Sequence, residues 1–338
     1  MARVAIGEIV ETTARAFERA GLAPEKARAC AEVHAESSRD GVYSHGLNRV
    51  PRFVEYLRKG WVVADAEPTR VREVGPIEVW DGNRGPGILN AIAATDRAIA
   101  LAARHGIGLV ALRNTTHWMR GGAFGWRAAE AGRIAIAWTN TESCMPAWGG
   151  TDTRLGNNPF VIAVPRAEGP VVLDMAMSQY SYGKLQVTRL KGEQLPYPGG
   201  FDKDGTLTSD PGAIEASMRI LPTGFWKGSG LAIMLYLLAA ILSEGLATNG
   251  IDEVGRGSCT GCSQIFIVID PERLGSADHM RAVVDGVVAY VNASTPEKPG
   301  RTVTAPGQNT LATRADHLAN GVVVDDEIWA EVRRLADG

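Results

Sequence analysis

The sequence predicts a protein of mixed helices and strands that does not have a Rossmann fold. Apolar residues recur at helical spacing near the N-terminus, and short strand-like apolar runs begin at Ile77. After the apolar run Ile107–Leu112, the chain does not continue with the G-x-G-x-x-G turn of a dinucleotide-binding βαβ unit. These three observations indicate a small helical layer followed by a sheet that is not built from that unit.

Start and stop signals define the individual elements. We predict a helix over residues 6–20, a second starting near Pro24, and a third over Val50–Leu57 that Asn48 caps and Gly60 ends. The predicted strands are Ile77–Trp80, Ile107–Leu112, Arg133–Trp138, Phe160–Val164, Val171–Asp174 and Gln264–Asp270. The later predicted helices are Ile88–Arg104, Gly121–Ala131, Leu231–Leu242, Ser276–Val291 and Asp325–Leu335.

We predict that the chain has two parts. Residues 1–74 together with 276–338 form a mainly helical part, and residues 75–275 form a mixed-sheet part that binds cofactor and substrate. The polar, glycine-rich segment Lys191–Gly212 is long for a connection inside a domain, which favours a functional flap. The Pro- and Gly-rich segment Thr295–Gly307 is typical of an exposed connection.

Length and composition are those of an ordinary globular protein. The 338 residues are 45% hydrophobic and 22% charged, and the net charge is −3, which argues against nucleic acid as a partner. The N-terminal segment mixes acidic residues into an amphipathic pattern, which argues against a signal peptide. The longest apolar run, Leu231–Leu242, has twelve residues, too few to span a bilayer, and predicts a buried helix. We therefore expect a cytoplasmic protein that binds neither nucleic acid nor membrane.

The segment around His45 is the first candidate for chemistry. His45 follows a serine, precedes a glycine, and lies just before a predicted helix N-terminus that also carries Arg49. Helix N-termini attract anions, and an imidazole beside an arginine suits proton donation to a substrate with a carboxylate. Taken alone, a histidine beside glycine is more often only a turn residue.

His117 and Arg120 form a second candidate, because they follow the end of the strand Ile107–Leu112 in a glycine-rich segment. Ligands collect at strand ends in proteins of this composition. The alternative is a histidine whose nitrogens bond to loop backbone. A cluster of small amides and hydroxyls, from Thr139-Asn140 to Asn157-Asn158, suits a nicotinamide amide but is equally typical of turns.

Residues 225–230, FWKGSG, are the strongest phosphate-site candidate. Lys227 supplies an ammonium group, the glycines let backbone approach closely, and a helix start supplies free N–H groups. The spacing is not that of a P-loop, so ATP chemistry is not implied. The alternative is a glycine-rich entry to a core helix. Asp174, at a strand end, suits either a ribose hydroxyl or a turn cap.

Other chemistries have little support. Cys259 and Cys262 form a single C-x-x-C without a second pair, so we interpret them as reduced thiols in a loop and predict no metal site. The chain contains no G-x-S-x-G elbow and no H-E-x-x-H motif, so a hydrolase is not supported. A nucleotide-binding protein without catalytic activity remains an alternative to an enzyme.

Long segments in a fixed order resemble one family. They are SRDGVYSHGLNRVPRF, ALRNTTHWMRGGAFGWRAAEAG, WTNTESCMPAWGG, RLGNNPFVIAVP, LDMAMSQYSYGK, GFDKDGTLTSDPG, FWKGSGLAI and CSQIFIVID. Together they are similar to the malate/L-lactate dehydrogenase family that is unrelated to the Rossmann-type enzymes, over about residues 6 to 332. That family also lacks the G-x-G-x-x-G fingerprint.

The resemblance implies an α+β fold with an N-terminal helical layer and a large mixed, mostly antiparallel sheet. It implies a homodimer that uses NADH or NADPH to reduce the C2 carbonyl of a 2-oxo acid reversibly. His45 matches the family's catalytic proton donor. Ser44, Arg49 and His117 match residues near the substrate, and Arg49 would hold its carboxylate.

The resemblance also assigns cofactor-binding residues. They are Pro170, Val171, Val172, Leu173, Asp174, Met175 and Ala176, then Trp226 and Lys227, then Gly307, Gln308 and Asn309. The family usually carries an acidic residue after Pro306-Gly307, whereas this chain has Gln308. The choice between NADH and NADPH therefore stays open.

Overall fold

The computed structural model describes residues 2–256 and 260–338. In these ranges the helices are α1 (Ile6–Arg19), α2 (Pro24–Arg39), α3 (Val50–Arg58), α4 (Gly87–His105), α5 (Gly122–Glu130), α6 (Tyr182–Leu190), α7 (Pro211–Ser217), α8 (Trp226–Ser243), α9 (Thr248–Val254), α10 (Ala277–Asn292), α11 (Gln308–Asn320) and α12 (Asp326–Asp337). The strands are β1 (Ala2–Val4), β2 (Thr69–Val74), β3 (Ile77–Asp81), β4 (Ile107–Thr115), β5 (Ile134–Thr139), β6 (Met145–Pro146), β7 (Thr153–Leu155), β8 (Phe160–Val164), β9 (Val171–Met175), β10 (Gly200–Phe201), β11 (Leu207–Thr208), β12 (Cys262–Ile269) and β13 (Val322–Val324).

Seven strands form the central sheet, in the order β2-β3-β4-β12-β5-β8-β9. Neighbouring strands are antiparallel except β3 and β4, which run parallel. Because side chains alternate across a strand, Ile265 of β12 packs into one core and Phe266 into another. This confirms the α+β prediction with a mixed, mostly antiparallel sheet, and the sheet is not the doubly wound parallel sheet of a Rossmann fold.

Helices α1, α2, α3 and α12 share a separate hydrophobic core. Phe17 and Phe53 lie fully buried in it, with ring centroids 4.9 Å apart in an edge-to-face arrangement that such rings favour. Strands β1 and β13 pair antiparallel, so the first and last segments of the chain close the same layer. The predicted two-part division stays a prediction, although the sheet already begins at Thr69, before the proposed boundary.

The prediction that Asn48 caps the third helix is wrong. Two 3₁₀ turns, Tyr43–His45 and Leu47–Arg49, lead into α3, and its N-cap, Arg49, makes no side-chain capping bond. The turn is instead held by backbone bonds, such as that from the Arg49 N–H to the Gly46 carbonyl at 3.0 Å. His45 therefore lies in a tight turn held by its own backbone.

The prediction of a buried helix at Leu231–Leu242 is also wrong. Helix α8 already begins at Trp226, and only 33% of it is buried. It packs on the sheet side through Ala232, Leu235 and Ala239, while Ile241 is 69% exposed. By length and composition alone, α8 is also the one helix of the described chain that meets the criteria for a membrane span.

The segment Lys191–Gly212 has more structure than its composition predicts. Strands β10 and β11 pair within it, and helices α6 and α7 adjoin its two ends. Two-residue strands lack enough residues to show a period of two, so the sequence pattern does not reveal them. Cys262 is buried at the start of β12, whereas Cys259 lies outside the described residues.

Candidate active site

A cavity of about 930 Å³ lies between the helical layer and the edge strand β9. Its walls come from the α2–α3 connection, the segment after β4, β9 itself, the start of α6 and the segment that leads into α11. Ser44, His45, Arg49 and His117, the residues predicted for catalysis and substrate binding, all line it. The fold therefore brings two histidine segments that are distant in sequence into one site.

The His45 ring is fixed on one side by its neighbour. Its Nδ1 lies 3.0 Å from the Ser44 hydroxyl oxygen, and the ring stacks on His117 with centroids 5.7 Å apart. A serine hydroxyl both donates and accepts, so this bond persists whether His45 is neutral or protonated. The arrangement leaves Nε2 as the nitrogen that can meet a substrate.

The electrostatics of the cavity favour neutral histidines. Burial, then the charge of Arg49, lower the pKa of His45 to about 3. Burial and Arg49 also lower the pKa of His117 well below its usual value. Protonation of His45 at neutral pH therefore requires a negative charge close to the ring, beyond what the carboxylates of the cavity, Glu142 and Asp174, supply.

The His45 turn is held to α2 by two residues that the sequence did not single out. The buried His34 donates from Nδ1 to the Gly46 carbonyl at 3.0 Å, and Ser38 Oγ accepts from the Leu47 N–H at 2.9 Å. A Cβ at Gly46 would lie 2.1 Å from Ser38 Oγ, so only glycine fits there. The helical spacing of His34 and Ser38 was the only available signal, since i and i+4 lie on one helix face.

The side chain of Arg49 is oriented by a hydrogen bond to the backbone of the same turn. Its Nε donates to the Ser44 carbonyl at 3.1 Å, and burial, then Arg52, lower its pKa. Within the described ranges its guanidinium forms no ion pair, although the charge of Glu142, which lines the same cavity, favours its charged form. A forked guanidinium in this state is suited to a carboxylate.

His117 is oriented by the backbone that follows it. Its Nδ1 accepts from the Met119 N–H at 2.8 Å, which places the proton of the neutral ring on Nε2. The sequence left open whether this histidine bonds only to loop backbone. One nitrogen does so, while the residue still lines the cavity.

Behind this wall lies a compact ion cluster around Asp40. Its carboxylate accepts from Arg120 at 2.6 Å and from Arg39 at 2.8 Å. It also accepts from Nε and Nη2 of Arg314, each at 2.8 Å. Burial opposes ionisation, but the hydrogen bonds from Arg314 and Arg39 and the charge of Arg120 lower the pKa of Asp40 to about 2. The cluster joins α2, α11 and the segment after β4.

Asp174 stands at the end of β9, opposite Arg120. Its Oδ2 accepts from the Gly122 N–H at 2.9 Å and lies 3.9 Å from Arg120 Nε. Burial raises the pKa of this carboxyl. Arg120 Nε is buried and has no hydrogen-bond partner among the described atoms, so it remains available as a donor.

Half of the twelve residues predicted to bind the cofactor line the cavity, and they lie on one wall. Val172, Leu173, Asp174, Ala176, Gly307 and Asn309 line the cavity. Pro170, Val171, Met175 and Gln308 belong to the same two segments but do not line it. Gln308 turns back on its own loop, where its Oε1 accepts from the Ala305 N–H at 2.6 Å.

Trp226 and Lys227 do not line the cavity. Both belong to the first turn of α8, so the predicted glycine loop is instead helix, and Trp226 is 62% exposed. Gly228 is required for packing, because a Cβ there would lie 2.1 Å from the Thr223 carbonyl oxygen. Cofactor binding by Lys227 stays a prediction.

The sequence and the fold both match known proteins. A family model described as malate/L-lactate dehydrogenase matches residues 4–333, so the chain belongs to the malate/L-lactate dehydrogenase family. The membership confirms the resemblance noted in the sequence and makes the protein an oxidoreductase of a dehydrogenase family.

Individual proteins of known name are also similar to this chain. The chain is 46% identical to a 2,3-diketo-L-gulonate reductase of Escherichia coli O127:H6 over 93% of this chain and 94% of the relative. The solved Δ1-piperideine-2-carboxylate reductase of Pseudomonas syringae is 29% identical, with a TM-score of 0.86 over 99% of this chain and 100% of that one. The malate dehydrogenase of Entamoeba histolytica has a TM-score of 0.93 at 23% identity, over 99% of this chain and 97% of that one, and supports the fold alone.

Proposed function

We propose that this enzyme reduces the C2 carbonyl of 2,3-diketo-L-gulonate, a 2,3-diketo sugar acid, with NADH as the reductant and NADPH as the alternative. The observation that carries the proposal is the juxtaposition of His45 with an unpaired Arg49 in one cavity. The name of the relatives at 46% identity supports the choice of substrate. We place the enzyme in the cytoplasm.

Arg49 binds the substrate carboxylate. Arg49 and Arg52 both line the cavity and their positive charges repel each other, so a substrate carboxylate bound at Arg49 reduces this repulsion. The forked guanidinium holds both carboxylate oxygens and so orients the adjacent C2 carbonyl. This orientation is what the substrate needs before any bond changes.

His45 supplies the proton. Burial and then the charge of Arg49 lower the pKa of His45, and a carboxylate bound at Arg49 offsets the second cause and adds a negative charge near the ring, so substrate binding raises this pKa and favours protonation. Nε2 then donates to the carbonyl oxygen as negative charge develops there, while Nδ1 keeps its bond to Ser44. In the reverse direction the neutral ring accepts the proton of the alcohol.

The wall formed by β9 and the segment before α11 fits a nicotinamide dinucleotide. Val172 and Leu173 offer apolar contact for a flat ring, and Asp174 and Asn309 offer partners for ribose hydroxyls. The unpartnered Arg120 Nε adds a donor that suits a phosphate or a carboxamide oxygen. When bound, the reduced nicotinamide supplies the hydride for C2.

The exposed face of α8 supports a homodimer. Leu231, Met234, Leu238 and Ile241 are between 39% and 69% exposed on this helix, and a second copy of the chain would cover them. Trp226 and Lys227 begin the same helix, so a dimer is also the setting in which they could approach a cofactor. Light scattering should give twice the chain mass, and Ile241→Glu should give a monomer, whereas Val71→Glu on β2 should leave the dimer intact.

A second candidate is the reduction of a cyclic imine 2-carboxylate. The likeness to the Pseudomonas syringae reductase over the whole chain favours it, and the same arginine and histidine serve both reactions. Malate, lactate or ureidoglycolate dehydrogenase activity uses this constellation equally. A non-catalytic nucleotide-binding protein has no need of His45, Arg49 and His117 in one cavity.

The test is oxidation of NADH and of NADPH with four substrates, followed by absorbance of the reduced nicotinamide. The substrates are 2,3-diketo-L-gulonate, pyruvate, oxaloacetate and piperideine-2-carboxylate. We expect the highest kcat/KM with 2,3-diketo-L-gulonate. Preference for the imine would establish the second candidate, and cofactor binding without turnover of any 2-oxo acid or imine would overturn both.

A further inference from the structure

Arg52 is a second cation of the cavity whose role nothing so far explains. It lies on α3 three residues after Arg49, and both residues line the cavity. Side chains at this spacing start about 5–6 Å apart on one helix face. Arg52 also borders a surface groove between α3 and α12, so it lies further toward solvent than Arg49.

Arg52 forms no ion pair in residues 2–256 and 260–338, although its charge acts on Glu55 of the same helix. The neighbouring Lys59, by contrast, is paired with Glu55. Arg120, which also lines the cavity, and Arg314 are both ion-paired with Asp40. An unpaired guanidinium that borders a binding cavity is available for a ligand group.

The order of the two arginines defines a direction for the ligand. Arg49 is next to the Ser44–His45 turn, where the carboxylate and the reacting carbonyl lie in the proposed function. Arg52 lies one helical turn away, toward the mouth of the cavity. Residues at this spacing have Cβ atoms about 5–6 Å apart, which is on the scale of a short carbon chain that begins at the carboxylate.

We propose that Arg52 is a specificity-determining residue that binds oxygen atoms at the far end of the substrate. The substrate class is therefore a 2-oxo acid with an oxygen-bearing tail, either hydroxylated or carboxylated, in preference to one with an apolar tail. This inference rests on the proposed function. A guanidinium donates to hydroxyl and carboxylate oxygens alike, and the experiment separates the two.

The experiment measures kcat/KM for Arg52→Gln with three substrates. These are 2,3-diketo-L-gulonate with a hydroxylated tail, oxaloacetate with a carboxylated tail, and 2-oxobutyrate with an apolar tail of the same length as oxaloacetate. Each compound is also measured as a competitive inhibitor, so that a poor substrate still reports binding. Arg58→Gln is the matched control, because Arg58 lies on the same helix and borders the groove but not the cavity.

We expect Arg52→Gln to lower kcat/KM by about 10- to 100-fold for at least one oxygen-bearing substrate, mainly through KM, which is the usual worth of a charged hydrogen bond. With 2-oxobutyrate the loss should stay below about 3-fold, a bound set by the small effect of an exposed charge. The substrate with the larger loss identifies the tail. Arg58→Gln should change none of these constants beyond the same bound.

Equal losses with all three compounds, or no loss with any, would overturn the role of Arg52 while the proposed function stands. Absence of wild-type turnover with every 2-oxo acid would instead contradict the proposed function itself. Arg52→Lys gives a further check. It keeps the charge but lacks the fork, so it should recover part of the loss with a carboxylated tail and less with a hydroxylated one.

Discussion

Two arginine-rich regions lie back to back in this protein and behave in opposite ways. Around Asp40, three guanidiniums share one buried carboxylate, and each charge has a partner. Around His45, Arg49 and Arg52 border a cavity and have no ion pair within the described chain. Both regions contain arginines, so residue type does not distinguish them. What distinguishes them is whether a carboxylate pairs with each guanidinium, which depends on tertiary contacts, and only the unpaired arginines are free to bind a ligand.

The largest predicted effect on activity is that of substituting His45, which transfers the proton. His45→Asn should lower kcat by roughly 10²–10⁴-fold, the usual contribution of a positioned acid. Cofactor binding should persist, because the β9 wall is untouched, and nucleotide fluorescence titration would measure it. The control is His105→Asn, an exposed histidine at the end of α4. Turnover close to that of the wild type would remove His45 from the mechanism.

A substitution in the ion cluster around Asp40 should lower the free energy of unfolding. Asp40→Asn leaves three buried or half-buried guanidiniums without their shared partner, and breaking such a pair costs about 3–5 kcal/mol. Chemical denaturation would measure the free energy of unfolding. Asp152→Asn removes an exposed partner of Arg154 and should change that free energy by less than about 1 kcal/mol. Similar values for the two variants would contradict the structural role of the Asp40 cluster.

A substitution of the unpaired Arg49 should weaken substrate binding and leave stability nearly unchanged. Arg49→Gln should lower kcat/KM by about 10- to 100-fold, mainly by raising KM, because the substrate loses a charged hydrogen-bond partner. Its unfolding free energy should stay within about 1 kcal/mol of the wild type, since no ion pair is broken. Steady-state kinetics and denaturation of one preparation supply both readouts. A large loss of stability would erase the distinction between the two regions.

Acid should destabilise the ligand-free protein through its histidines. The pKa of His34 is about 4 and that of His45 about 3, both below the usual value near 6.5 because of burial first. At a pH between the folded and the unfolded pKa of these histidines, the unfolded chain binds protons that the folded chain does not. The free energy of unfolding therefore falls as the pH drops from about 6.5 toward 4. Thermal denaturation across this range measures the fall. His45→Asn should make it shallower, and an unchanged slope would remove His45 from the acid response.

Much of the local structure could be predicted from the sequence because its signals are local. Helix α4 ends at Gly106, strand β4 contains the apolar run Ile107–Leu112, and Pro24 stands in the first turn of α2. The candidate site was accessible for another reason. The resemblance of segments such as SRDGVYSHGLNRVPRF assigned roles to Ser44, His45 and Arg49 that spacing alone left open.

What could not be predicted depends on distant contacts. The roles of His34 and Ser38 appear only when α2 packs against the Gly46 turn, and the partners of Asp40 come from α11 and the segment after β4. The cap assigned to Asn48 failed because backbone bonds of a 3₁₀ turn replaced a side-chain cap. Each of these outcomes was decided by geometry between elements.

By itself, the sequence determined where most helices and strands lie, and that a histidine and an arginine stand together before α3, because hydrogen bonds and apolar spacing within a few residues decide such features. The tertiary structure alone decided which arginines are neutralised, which face of α8 stays open, and that Lys227 lies away from the cavity of its own chain. Burial and charge pairing arise between residues distant in sequence, so they exist only once the chain has folded.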